Sequence, residues 1–140
     1  MPFVVDASVT ASWALVEGDP SAELAFEKLL ADYAVAPWLW WYEIRNLLIM
    51  GERSRGRSPT DTEAFIGLLS TLPIRLDYAP DQRSILHLSR KYKLTVYDTA
   101  YLELAQRLDV PLATLDSELI RAAQAAGVPL IQKSGRRGRI

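Results

Sequence analysis

The stretch Phe3-Val4-Val5-Asp6-Ala7-Ser8 sets a short apolar run against an acid and a small hydroxyl residue. The run suits a buried strand, which Asp6 ends, and Ser8 is the expected cap of a helix reaching about residue 16. The alternation continues outward from there. Gly18-Asp19-Pro20 breaks the backbone, and Leu24, Phe26, Leu29 and Leu30 give helical spacing over 21–32. Ala34-Val35-Ala36 ahead of Pro37 is strand-like, 38–53 is helical, and 54–59 is a polar loop containing glycine. Phe65, Leu68, Leu69 and Leu72 stripe a helix over 60–72, followed by a strand at 74–77 and helices over 81–92 and 96–108. Pro111 introduces the strand Leu112-Ala113-Thr114, a helix over 117–126 stops at Gly127, and 128–131 is a last strand. Short apolar strands alternating with helices predict an α/β fold. Its central parallel sheet is flanked by α-helices in a three-layer α/β/α arrangement. Ligands of such sheets sit beyond the carboxyl ends of the strands. Asp6 and Asp116 both fall there, each directly after a predicted strand.

At 140 residues the chain suits one domain, 1–132, with a basic and disordered tail over 133–140. Hydrophobic residues make up 49%, enough for a sizeable core, and no repeat or linker divides it. No apolar run reaches the roughly 18 residues that span a bilayer. No basic leader precedes Phe3, so a cytoplasmic protein with no membrane association is expected. The absence of cysteine excludes disulfides, thiol nucleophiles and thiolate zinc sites. The single histidine, His87, excludes histidine-pair zinc motifs and is an ordinary helix residue. A net charge of −1 speaks weakly against nucleic acid. The distribution matters more: Arg45, Arg53, Arg55 and Arg57 cluster, and Lys133, Arg136, Arg137 and Arg139 crowd the tail. These suit phosphate contact, although a solvated helix end accounts for the first group equally well.

Four acids stand out, each with a plain alternative. Asp6 is also a good turn residue, and Asp116 a good N-cap for Asp116-Ser117-Glu118-Leu119. Glu43 has Leu39, Trp40, Leu47 and Met50 as helical neighbours, an apolar stripe on which a bare carboxylate costs several kcal/mol. A position at the rim of that stripe is its plain reading. Asp98 shares a face with Leu102 and Ala105, and Thr95-x-x-Asp98 is also a capping box. Together the acids suit a hard cation, because converging carboxylates repel until a cation neutralises them. Such a site polarises a phosphodiester and acidifies water.

Val4-Val5-Asp6-Ala7-Ser8, Glu43-Ile44-Arg45-Asn46, Leu94-Thr95-Val96-Tyr97-Asp98-Thr99-Ala100-Tyr101-Leu102 and Ala113-Thr114-Leu115-Asp116 resemble, in order, the four motifs of the PIN domain. The likeness is greatest to VapC toxins of VapBC toxin–antitoxin modules and covers residues 3–132. It implies a Mg²⁺- or Mn²⁺-dependent endoribonuclease, a homodimer, and inhibition by a VapB antitoxin. By motif position, Asp6, Glu43, Asp98 and Asp116 would be the metal-binding and catalytic acids. Ser8 and Thr114 match the small hydroxyl positions that support them, and Asn46 the polar residue one turn after the glutamate. The metal would activate water against a phosphodiester of single-stranded or looped RNA, with Arg45, Arg53, Arg55 and Arg57 on the backbone phosphates. Trp38, Trp40 and Trp41, just ahead of Glu43, depart from many relatives. Core packing is their first expected use, a dimer interface or antitoxin groove the second, and base stacking the third. Two other readings compete. A haloacid-dehalogenase-type phosphatase needs a second aspartate where Ser8 stands. A catalytically weak PIN scaffold would bind RNA or protein only.

Overall fold

The computed structural model describes residues 1–15 and 18–133. The first helix ends at Ser12, short of the expected residue 16, and the tail arginines Arg136, Arg137 and Arg139 lie outside the described residues. Strand β1 (Phe3–Val5) is followed by helices α1 (Ala7–Ser12) and α2 (Pro20–Ala31), then β2 (Ala34–Pro37). Helices α3 (Leu39–Ser54) and α4 (Pro59–Leu69) lead to β3 (Ile74–Asp77). Helices α5 (Gln82–Tyr92) and α6 (Val96–Leu108), strand β4 (Leu112–Ala113) and helix α7 (Ser117–Ala126) complete the order.

The sheet is parallel throughout, in the order β3-β2-β1-β4. Phe3, Val4 and Val5 are fully buried, as a strand inside a parallel sheet should be. Helices α1 to α4 contact one another, and α5 to α7 form a second contacting set whose α6 crosses β1, β2 and β4. The helices thus flank the sheet in three α/β/α layers. The chain moves outward from β1 to β2 and β3, then returns past β1 to β4. Right-handed crossovers in opposite directions lie on opposite faces of a sheet, so the chain leaving β1 and the chain leaving β4 run to opposite faces at the carboxyl ends. That switch point opens directly onto Asp6.

Three further expectations change in detail. Asp6, not Ser8, caps α1, because its carboxylate accepts the Val9 amide. Helix α4 ends at Leu69, short of residue 72. There the hydroxyls of Ser70 and Thr71 turn back onto the carbonyls of Gly67 and Leu68, both at 2.7 Å. The expected last strand at 128–131 is a single parallel bridge between Leu112 and Leu130. The Val128 amide is used in ending α7, on the Ala123 carbonyl at 2.9 Å, and Pro129 has no amide to donate.

Candidate active site

Asp6 sits at the switch point and is only 5% exposed. Its Oδ1 accepts from the Val9 amide at 3.0 Å and from the Ser8 hydroxyl at 2.7 Å. Its Oδ2 accepts from the Thr114 hydroxyl. Both hydroxyls also bind the chain leaving β4. Ser8 Oγ accepts from the Leu115 amide at 2.9 Å, and Thr114 Oγ1 accepts from the Asp116 amide at 3.0 Å. Ser8 and Thr114 therefore fix the orientation of Asp6 and tie it to the loop that carries Asp116. Burial pushes the Asp6 carboxyl up to about 6; the hydrogen bonds from Thr114, Val9 and Ser8 pull against that rise, and the charge of Asp116 adds to it.

Asp116 is half-buried and caps α7, accepting from the Leu119 amide at 2.9 Å. Capping occupies Oδ2 and leaves the other oxygen outside that bond. Asp98 stands in the first turn of α6, where the Thr95 hydroxyl caps its amide at 3.0 Å. Burial raises its pKa, with further rises from the like charges of Asp116 and Glu118 and a counterpull from Thr95. Glu43 is half-buried on α3 and accepts from the Tyr101 hydroxyl at 2.5 Å. Its pKa is raised by burial and by Asp98, and lowered by the Tyr101 bond. Like-charge repulsion thus links Asp6 to Asp116, Asp116 to Asp98, and Asp98 to Glu43.

The Glu43 stripe is not the core face of its helix. Trp40, Ile44 and Leu48 are buried, while Leu47 is 39% exposed and Met50 51% exposed. Glu43 rides the edge of the buried face. The tryptophans divide likewise. Trp40 is buried, its indole donating to Thr10 Oγ1 at 2.9 Å, whereas Trp38 and Trp41 are exposed.

Of the remaining candidates, Asn46 is exposed, and its amide donates to the Met50 sulfur at 3.6 Å instead of reaching the acids. Arg45 lies with its guanidinium 3.6 Å from the centre of the Trp41 ring, and partial burial lowers its pKa. Arg53 and Arg55 are exposed at the end of α3. Arg57 turns inward, donating to Thr62 Oγ1 at 3.2 Å and to the Asp61 carbonyl at 3.1 Å, so it clasps the start of α4. The arginine run is therefore not one surface.

Two neighbours of the acids escaped the sequence reading. Tyr101 is 2% exposed, and burial followed by the Glu43 hydrogen bond pushes its hydroxyl far above its usual range. Its spacing of one turn after Asp98 was the available signal. Glu118 acts on Asp98 through charge alone.

Among the described residues, no group of three or more acidic or histidine side chains is arranged to enclose a metal ion. The donor chemistry nonetheless fits a hard divalent cation. All four candidate donors are carboxylates, and burial with neighbouring like charge disfavours the charged forms of Asp6, Asp98 and Glu43 in a way a cation relieves.

The PIN-domain profile matches residues 3–125. Ribonuclease VapC3 of Pyrobaculum aerophilum is 32% identical over 137 residues, covering 92% of this chain and all of the relative. Among solved structures, VapBC2 of Rickettsia felis, bound to a promoter DNA fragment, aligns at a TM-score of 0.67 and 10% identity. That alignment covers 93% of this chain and 97% of the other. VapC20 of Mycobacterium tuberculosis, a sarcin–ricin-loop-cleaving toxin, aligns at 0.61 and 15% identity, covering 95% and 100%. At such identities the structures speak for the fold, and the profile and the VapC3 likeness for the family. The chain belongs to the PIN-domain family, in its VapC group.

Proposed function

We propose that the protein is a Mg²⁺- or Mn²⁺-dependent endoribonuclease acting as the toxin of a type II toxin–antitoxin pair. The observation that carries this reading is buried Asp6 bound through Ser8 and Thr114 to the loop that carries Asp116, with Asp98 and Glu43 next along a run of like charges. Asp6, Asp98 and Asp116 would hold the principal cation, and Glu43 would complete the site or orient the water. A bound divalent cation polarises the phosphodiester and lowers the pKa of water. Ser8 and Thr114 prevent Asp6 from rotating away, and Tyr101 does the same for Glu43. Arg45, Arg53 and Arg55 supply cationic contacts for the RNA backbone; Arg57 is engaged within the fold.

The likeness to VapBC2 supports a VapB-type antitoxin as partner. A homodimer is supported by the apolar side chains that α3 leaves exposed, Leu47, Ile49 and Met50. No described helix is long and apolar enough to cross a membrane, which agrees with the cytoplasmic location we propose. The test replaces Asp98 by Asn. RNA cleavage with Mn²⁺ should fall at least about a hundredfold while the circular dichroism spectrum is unchanged. Undiminished cleavage would overturn the proposal. A protein whose melting temperature ignores Mn²⁺ and which cleaves no RNA would instead be a binding module on this scaffold.

A further inference from the structure

We propose that the hollow beside Glu43 is a base slot, receiving one unstacked base of a single-stranded RNA next to the phosphate presented to the acids. The inference rests on the ribonuclease reading above and adds where the substrate is gripped. The hollow has a volume of about 370 Å³ and is lined by Trp38, Leu39, Tyr42, Glu43 and Tyr97. A second hollow of about 270 Å³ shares Trp38, Leu39 and Tyr97 and continues toward Asp77 and Glu103. The walls are aromatic and open: Trp38 is 47% exposed, Tyr42 61% and Tyr97 66%. Trp38 and Tyr42 meet edge to face with ring centres 5.9 Å apart.

Three features favour a base as the occupant. The slot and the acid cluster share a residue, Glu43, so a base held there sits within the site's own surface. Flat aromatic faces accept any unstacked base without pairing, which is how single strands are commonly held. The acids of the inner wall are already paired. Arg107 donates to Glu103 Oε2 and to Asp77 Oδ2, both at 2.7 Å, so neither carboxylate is left unpaired where a base would enter. A second copy of the chain is the competing occupant. The apolar residues Leu47, Ile49 and Met50 lie on later turns of α3 and do not line the slot.

The experiment measures RNA affinity by fluorescence anisotropy in the full chain carrying Asp98→Asn, so that the probe is not cut. The probes are a short single-stranded RNA of mixed sequence and an abasic ribose–phosphate strand of equal length. The intact strand should bind about tenfold tighter or more, and Trp38→Leu or Tyr97→Leu should abolish that difference while leaving abasic binding unchanged. Equal binding of both strands by the parent overturns the slot without needing either variant to fold. A difference that survives in folded variants overturns it too. If survival is accompanied by a smaller species in gel filtration, the slot belongs to a second copy. Wild-type cleavage of RNA alongside any of these results leaves the ribonuclease reading standing; a wild type that neither binds nor cuts RNA removes both.

Discussion

Asp6 is held by three hydrogen bonds yet remains costly to ionise, because 5% exposure removes nearly all of its hydration. Its pKa rises from 3.8 to about 6 on folding. Between those values the folded protein binds more protons than the unfolded chain, so stability falls as pH rises through this window and the loss is complete above it. Asp6→Asn removes the charge. With metal chelated, the variant should be more stable than wild type at pH 7.5 by about 1–3 kcal/mol in urea unfolding. It should also lose Mn²⁺-dependent stabilisation, and a destabilised variant would refute the burial argument. In the metal-free protein a proton competes with the cation for Asp6, so Mn²⁺ affinity measured by titration should weaken as pH falls through about 6. Tyr101→Phe keeps the buried ring and deletes the hydroxyl that donates to Glu43. Without that bond the Glu43 pKa rises further, so the acid limb of the pH–rate profile should move to higher pH, with kcat down about tenfold and KM little changed. An unshifted profile would separate Tyr101 from the chemistry. Asp6 and Asp116 were legible as strand-end residues. Tyr101 was not, because a tyrosine in an apolar helix stripe reads as core until its partner 58 residues away is placed.

At the scale of elements, caps explain why the helix boundaries were readable. Asp19, Ser58, Asp81, Thr95 and Asp116 each accept a backbone amide from the following turn. Gly127 closes α7 with φ of 75°, a conformation that suits glycine. Thr95 has two tasks, capping α6 and setting the turn that presents Asp98. Thr95→Ala should cost about 1 kcal/mol of stability by chemical denaturation and weaken the Mn²⁺ response more than Ser58→Ala, which caps α4 away from the acids. Equal metal responses would confine Thr95 to capping. The strand expected at 128–131 was misread because apolar periodicity does not record which amides are free. Val128 and Pro129 leave too few to continue the ladder. For Glu43 the rim position is the reading that stands. Its neighbours at helical spacing are apolar, but the helix buries the adjacent face.

For the whole molecule, strand order decides where chemistry is possible. Because β2 and β4 flank β1, the chain's reversal exposes the carboxyl end of β1 and brings Thr114, more than a hundred residues away, onto Asp6. The exposed apolar side chains of α3 carry the proposed dimer contact. Ile49→Glu or Met50→Glu should shift sedimentation from dimer to monomer, while the wild type sediments as a dimer at the same concentration. A monomeric wild type would refute the contact. The sequence by itself determined the alternation of strands and helices, the capping roles of Thr95, Asp116 and Gly127, and the placing of Asp6 and Asp116 at strand ends, because these follow from local spacing and backbone chemistry. Only the tertiary structure decided that Glu43 meets Tyr101, that Arg57 turns inward, and that Trp38 faces outward while Trp40 is buried. Those outcomes depend on which faces of distant helices meet across the sheet, and local spacing carries no record of that choice.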